Sequence, residues 1–161
     1  MNIKIDNSLF KELLLKAEES PRKRSNTNLH DNPDDSVQKM CVALKKGTYV
    51  RPHYHPNQKK WEVLLILRGQ ANVYIFNKDG IIDEKFILGE GESISGVEIK
   101  PNTWHTLVPV SDDVIMFEVK EGPYTPAETS DFAEWAPEEG DEKVESFLKW
   151  IESAEVGESY I

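Results

Sequence analysis

Two histidines separated by one residue, His53 and His55, carry the clearest chemical signal in the sequence. Residues i and i+2 of a β-strand point to the same face, so both imidazoles would form a chelating pair. Glu62 opens the apolar run of residues 62–67, which is typical of a strand sandwiched between layers. A carboxylate there requires a partner, and a divalent ion held by the two histidines would supply it.

A third imidazole comes from His105, which follows a turn at residues 100–103 and begins a second apolar stretch. Three histidines and one glutamate suit zinc, iron, nickel, copper or manganese, and they leave positions open for water or substrate. The alternative is a chance cluster of surface or core histidines. For Glu62, the alternative to direct ligation is to accept a hydrogen bond from a ligand. We favour a metal site made from His53, His55, Glu62 and His105.

The elements that would position these residues are short strands. Between Val37 and Lys120, apolar or alternating runs are separated by turn residues about every eight to twelve positions, which indicates an all-β sandwich or barrel. Asp79 and Gly80 predict a hairpin turn. We place strands near residues 37–44, 48–55, 61–68, 71–77, 81–88, 92–99, 104–110 and 113–120.

The flanking segments predict three regions: residues 1–35, 36–122 and 123–161. The first holds a short helix capped by Asn7 or Ser8, which packs on the outside of the barrel, and a polar loop over residues 21–35. The last holds an acidic helix beyond Gly140. Its apolar stripe would dock on its own barrel or on a second subunit, and consists of Val144, Phe147, Leu148 and Ile151.

Composition limits the classes of function. The 161 residues predict one domain, and the net charge of −10 disfavours nucleic acid as a partner. No run of eighteen apolar residues predicts a membrane span. The N-terminus lacks the apolar core of a signal peptide, and the single Cys41 cannot form an internal disulfide. We therefore expect a cytoplasmic protein.

The spacing of Gly47, His53, His55, Glu62 and Gly69 resembles the first motif of the cupins, and residues 100–105 resemble the second. The interval from His55 to Glu62 is longer than is usual in that family, and we assign the extra residues to the turn. Asn102 stands where glycine is common, and asparagine tolerates the left-handed conformation. The resemblance implies a mainly β, single-domain cupin, which is a double-stranded β-helix or jelly-roll barrel, with a divalent metal.

A narrower resemblance covers roughly residues 5–140. The segments that carry it are residues 20–30, 47–53, 60–62, 96–105 and 117–124. Together they look like the WbuC-type cupins, small proteins often associated with bacterial surface-polysaccharide gene clusters. This resemblance implies a saccharide-related small molecule as the ligand, and it does not specify a reaction.

Five further residues are candidates for binding that ligand. Arg24, Asn28 and His30 lie in the polar loop and offer donors to a phosphate or carboxylate, although a solvated loop is the simpler interpretation. By strand parity, Tyr49 and Arg51 share the interior face of His53 and His55. An interior arginine needs an anionic ligand or an internal salt bridge, here with Glu118.

Three functions remain open. The first is a metal-dependent enzyme, such as an isomerase or oxygenase, in which the ion polarises a carbonyl or hydroxyl or activates water or dioxygen. The second is a non-catalytic module that binds a sugar or sugar nucleotide. The third is a metal-free sugar epimerase, which the chelating set disfavours. Pairing of edge strands into a homodimer is a further hypothesis.

Overall fold

The computed structural model describes residues 2–56 and 60–160 and has the mainly β architecture expected. Two antiparallel sheets face one another, one of five strands in the order β1-β2-β8-β3-β6 and one of three in the order β5-β4-β7. The strands are β1 (Arg24–Asn28), β2 (Val37–Lys45), β3 (Glu62–Arg68), β4 (Gln70–Phe76), β5 (Ile82–Gly89), β6 (Gly96–Ile99), β7 (Trp104–Pro109) and β8 (Asp113–Glu121). The helices are α1 (Asn7–Glu19), a 3-10 turn (Thr129–Asp131) and α2 (Val144–Ile151).

Apolar side chains of both sheets meet in the barrel interior. Leu64 of β3, Val73 of β4 and Leu107 of β7 are all buried in this cluster. Strand β3 differs from the sandwiched strand predicted for it, because only its alternate residues face the interior. Its Leu65 and Leu67 are 37% and 39% exposed. The interior face of β3 therefore carries Glu62, Leu64 and Ile66, and Glu62 at its end is one of the four predicted metal ligands.

Two of the predicted segments have a different secondary structure. No strand forms over residues 48–55, where only His53 makes an isolated bridge. Pro52 and Pro56 lack the backbone donor that a continuous ladder requires. Conversely, the predicted loop over residues 21–35 contains β1, which pairs antiparallel with β2. β1 lies at the edge of the sheet and consists of polar residues only, so it lacks the apolar alternation by which a strand is predicted.

Helix α1 packs on the outer face of the larger sheet, as predicted. Its first turn is capped by Asp6 rather than by Asn7 or Ser8, since the Asp6 carboxylate accepts hydrogen bonds from the backbone of Ser8 and Leu9. Its buried side chains, with the strand residues they contact, form one apolar cluster: Leu13, Ala17, Cys41, Ala43 and Ile115. No helix within residues 2–56 and 60–160 is both long and apolar enough to cross a membrane.

Helix α2 docks on its own barrel, which was one of the two predicted alternatives. Phe147 and Ile151 are buried in a second cluster together with Tyr49, Tyr74 and Phe76. The Tyr74 hydroxyl donates a hydrogen bond to the Ile151 carbonyl at 2.6 Å. The C-terminal extension is therefore part of the folded body rather than an appendage.

Gly69, at the turn between β3 and β4, occupies a position that only glycine satisfies. Its φ is +76°, and an added Cβ would lie 2.3 Å from the backbone oxygen of Asp113. We expect Gly69→Ala to lower the free energy of unfolding by at least about 3 kcal/mol, from left-handed strain plus the clash. Urea unfolding measures this change.

Gly91→Ala is the matched control, because Gly91 has φ +80° and no atom within 4 Å of an added Cβ. Only the conformational cost of about 1–2 kcal/mol is expected there. Equal losses in the two variants would contradict the proposed clash at Gly69.

Candidate metal centre

The four predicted metal ligands meet between the two sheets. Glu62 begins β3 of the larger sheet, and His105 is the second residue of β7 in the smaller sheet. His53 is held against His105 by a pair of backbone hydrogen bonds of 3.1 and 2.9 Å. A single ligand atom from each of His53, His55, Glu62 and His105 lies within 4.8 Å of the other three.

The turn before β7, the strand that holds His105, also has the predicted conformation. Asn102 has φ +59°, the left-handed conformation expected for the residue that stands where glycine is common. The lengthened turn before Glu62 falls largely on residues 57–59, which lie outside the described residues.

The nitrogen and oxygen atoms of the cluster fit a cation. Glu62 Oε1 lies 2.5 Å from His105 Nε2 and 3.3 Å from His55 Nε2. Yet within the described part of the chain, neither Glu62 Oε1 nor His55 Nε2 makes a well-directed hydrogen bond, although both atoms are buried. Buried polar atoms without partners are costly, and a shared divalent ion would satisfy both.

The outer hydrogen bonds orient two of the imidazoles towards the cluster. His53 Nδ1 lies 2.9 Å from the Arg51 carbonyl, and His105 Nδ1 lies 2.8 Å from the Thr103 carbonyl. A carbonyl only accepts, so each Nδ1 carries the proton and donates it. Nε2 is then left with a free lone pair, as a metal ligand requires.

The charge states of the cluster suit a metal as well. Burial, reinforced by the neighbouring His105, lowers the pKa of His53 to about 3, so its imidazole is neutral. Burial alone would raise the pKa of Glu62, but His105 and His55 outweigh it and hold that pKa well below its usual value. Burial likewise lowers the pKa of His105, but the neighbouring Glu62 carboxylate outweighs burial and raises it. A divalent ion would replace the proton that His105 shares with Glu62.

A cavity of about 260 Å³ opens above the cluster. Leu64, Leu107 and Met116 form part of its apolar wall, while Arg24 and Lys120 contribute positive charge. The cavity adjoins an outer groove of about 670 Å³, since the two share six lining residues, among them Arg24, His55 and Lys120. The four candidate metal ligands therefore line a space that continues into the groove.

Two of the five predicted ligand-binding residues line these spaces. Arg24 borders both, and Arg51 borders the outer groove. Arg51 Nη2 donates to the Ala133 carbonyl at 3.0 Å, and the guanidinium lies 5.4 Å from the Phe132 ring. The predicted alternative of an internal salt bridge between Arg51 and Glu118 is wrong. Glu118 instead pairs with Lys120 at 2.8 Å.

The other three lie away from the cavity and the groove. The interior face assigned to Tyr49 is wrong, because the chain is not a strand there and the Tyr49 hydroxyl donates to the Pro137 carbonyl. Asn28 accepts a hydrogen bond from Asn26, and His30 Nδ1 lies 2.9 Å from the backbone oxygen and 3.0 Å from the backbone nitrogen of Lys39. Ligand binding by Tyr49, Asn28 and His30 stays a prediction without a contact in the structure to support it.

Sequence reasoning did not select three residues that the structure places around the cavity and groove: Arg22, Lys120 and Glu139. Lys120 had a signal, because it alternates with Glu118 and Met116 on the interior face of the last strand. Arg22 was one of several polar loop residues. Glu139 had none, since its contact with Arg22 spans 117 positions of the chain.

The comparisons with known proteins establish a family and a fold. Residues 5–88 match the sequence model of DUF6016, a domain of unknown function. The chain belongs to this family. No curated protein sequence matches it.

Two solved structures illustrate the fold. A cupin 2 conserved barrel domain protein from Rhodopseudomonas palustris is 19% identical with a TM-score of 0.50, and the match covers 77% of this chain and 78% of that one. Procruciferin, an 11S globulin from Brassica napus, is 17% identical with a TM-score of 0.51, over 65% of this chain and 26% of that one. At such identities the likeness concerns the fold alone. This member of DUF6016 is a cupin β-barrel, as its motifs predicted.

Glu62→Gln tests the carboxylate as a ligand. The substitution preserves shape but removes the negative charge that pairs with two imidazoles. We expect metal affinity to fall about 10- to 100-fold, at least as much as when an outer partner of a ligand is lost. Competition with a chelator of known affinity measures the change. An unaltered affinity would show that Glu62 does not contact the ion.

Proposed function

We propose that this cupin binds a divalent metal and uses it to act on a small, anionic, saccharide-related molecule. One observation carries the proposal: the four-ligand cluster and the cationic side chains of Arg24 and Lys120 line the same cavity. A ligand with oxygen donors at one end and an anionic group at the other would satisfy both.

The chain would hold the ion, which could be zinc, iron, nickel or manganese, through His53, His55, Glu62 and His105. When bound, such an ion polarises a carbonyl or hydroxyl oxygen, or lowers the pKa of water. The other residues bind and orient the ligand. Burial lowers the pKa of Lys120, but the Glu118 carboxylate outweighs burial and raises it. Lys120 Nζ thus remains a hydrogen-bond donor rather than a base.

The size of the cavity supports a small ligand. Its volume of about 260 Å³ is close to the lower end of the range for ligand pockets, about 300–1,000 Å³. A monosaccharide or small acid suits the inner cavity, and a sugar nucleotide would extend into the outer groove. The resemblance to the WbuC-type cupins supports a role in surface-polysaccharide metabolism in the cytoplasm.

A non-catalytic binding module is the second candidate, and one observation favours it. Of the two carboxylates that line the inner cavity, Glu62 belongs to the metal cluster and Glu118 is paired with Lys120. No unpaired carboxylate remains in the described lining of that cavity to act as a general base.

The deciding experiment is elemental analysis of protein purified without chelators, followed by binding and turnover assays with sugar acids and the matching neutral sugars. About one ion per chain with turnover would support the enzyme, and one ion with saturable binding alone would support the module. A redox-active ion would direct the search to oxygenase or isomerase chemistry, and zinc to hydrolytic or isomerase chemistry. Protein without metal would refute the proposal and favour the metal-free epimerase.

A further inference from the structure

The carboxylate of Glu139 lies against Arg22 and Arg24 at the mouth of the cavity. Glu139 accepts hydrogen bonds from Arg22 Nε at 2.5 Å and Arg22 Nη2 at 2.7 Å, each through a different carboxylate oxygen. Arg24 Nη2 lies 3.3 Å from both oxygens. This fork arrangement is the one in which guanidinium groups recognise carboxylates and phosphates.

Arg24 is built into the wall, whereas its carboxylate partner is not. Arg24 Nη1 donates to the Tyr49 carbonyl at 2.5 Å, and its side chain is only 18% exposed. Burial, followed by the charge of Arg22, lowers the pKa of the Arg24 guanidinium. Glu139 is 41% exposed and precedes Gly140, which lies in a left-handed turn with open space around it. Arg24 is thus fixed in the wall, whereas Arg22, which is 58% exposed, and Glu139 lie on the accessible side of the contact.

The charges around this contact do not balance. Two guanidinium groups share the single carboxylate of Glu139, while the nearby Lys120 is paired with Glu118. Within this contact one positive charge is therefore left without a carboxylate, in a protein whose net charge is −10. The rest of the groove carries Arg51 and Lys60 against Glu121, Glu128 and Asp131. A bidentate pair shared by two arginines contributes more than an isolated exposed ion pair. An incoming oxyanion would therefore have to offer equivalent contacts to both arginines, and a further contact with the metal would favour it over Glu139.

We propose that Arg22 and Arg24 form an oxyanion subsite of the cavity, and that Glu139 occupies this subsite until the carboxylate or phosphate of a ligand displaces it. The proposal rests on the proposed function only for the use of the subsite by a metal-bound substrate. Arg24 supplies the fixed donor, Arg22 closes over the anion from the exposed side, and Glu139 competes with weakly bound anions.

The test is a titration of nitrogen-15-labelled protein with sodium acetate and, separately, inorganic phosphate, at ionic strength held constant with sodium chloride. The Nε–H signals of Arg22 and Arg24 report binding. We compare wild type with Glu139→Gln and with Glu138→Gln, an exposed neighbour whose substitution changes the net charge equally. Removal of the competing carboxylate should tighten anion binding about fivefold in Glu139→Gln alone.

Arg22→Gln provides a second variant, since its exposed side chain can be lost without disturbing the wall. We expect it to weaken anion binding in the Glu139→Gln background. Anion affinity in Glu139→Gln that is equal to or weaker than wild type would overturn the proposal, and so would shifts confined to signals other than those of the two arginines. The difference between acetate and phosphate identifies the preferred oxyanion.

The titrations are run on both metal-free and metal-loaded protein, which separates the two proposals. Tighter acetate binding by Glu139→Gln in a protein that cannot be loaded with metal would support the subsite and refute the metal-dependent function. A metal-loaded protein in which the substitution leaves anion affinity unchanged would refute the subsite and leave the metal-dependent function standing.

Discussion

His55→Ala is expected to abolish metal retention during purification. The buried His55 Nε2 makes no well-directed hydrogen bond within the described residues and lies 3.3 Å from Glu62 Oε1. The substitution therefore removes a candidate ligand, together with the ring contacts of His55 with His53 and His105. Loss of one of four ligands should weaken binding at least about 100-fold, because the binding free energy of such sites is shared among their ligands. Metal content per chain by elemental analysis measures the effect.

His30→Ala is the matched control, since His30 is the remaining histidine of the four in the chain and contacts the backbone of Lys39 rather than the cluster. Its metal content should equal that of the wild type. Full occupancy in His55→Ala, or equal loss in both variants, would contradict the four-residue site. Circular dichroism of both variants confirms that the fold is retained.

Phe147→Ala is expected to give a large loss of stability, about 3–5 kcal/mol in the free energy of unfolding. Phe147 is 1% exposed. Its ring packs against Tyr49, Trp150 and Tyr160 with ring centroids 5.5, 5.4 and 5.0 Å apart. Truncation would leave a cavity between α2 and the barrel. Urea unfolding followed by fluorescence measures the change.

Leu15→Ala controls for the loss of a large apolar side chain from a helix, because Leu15 of α1 is 58% exposed. We expect a change within about 0.5 kcal/mol. If Phe147→Ala were as mild, the C-terminal extension would contribute nothing to the folded body, contrary to its burial against the barrel.

The C-terminal extension also supports the cavity. Phe147 packs on Tyr49, and the Tyr49 carbonyl accepts the hydrogen bond that fixes Arg24 in the wall. The same extension supplies Glu139 to the two arginines. Tyr49 thus influences the candidate site through its backbone and packing, although its side chain does not face the ligands. The loss of the Phe147 ring in Phe147→Ala removes this support of Tyr49, and it should therefore also weaken oxyanion binding at Arg24.

The cluster of four candidate metal ligands could be predicted from sequence because its information is local. The pair His53 and His55, the carboxylate at the start of an apolar strand and the turn before His105 are each short patterns with a chemical reason. The strands from β2 to β8 could also be predicted, because alternation of apolar residues reflects burial on one face. The exception is the strand predicted at residues 92–99, which forms only over Gly96–Ile99. The left-handed turn at Asn102 was predicted from the resemblance to the second cupin motif, where glycine is common at this position, and from the tolerance of asparagine for that conformation.

Tertiary structure alone decided the rest. The polar segment β1 forms a strand because it pairs with the edge of β2. Residues 48–55 do not form a strand, because prolines remove backbone hydrogen-bond donors there. The face of Tyr49 and the contact of Glu139 with Arg22 depend on segments far apart in the chain. Glu118 instead pairs with Lys120, two positions along its own strand, because both side chains lie on the same face of β8. Residue types and spacing determine which groups can bind a metal. Long-range packing determines which charges meet, since a side chain's partner is set by proximity in space rather than in sequence.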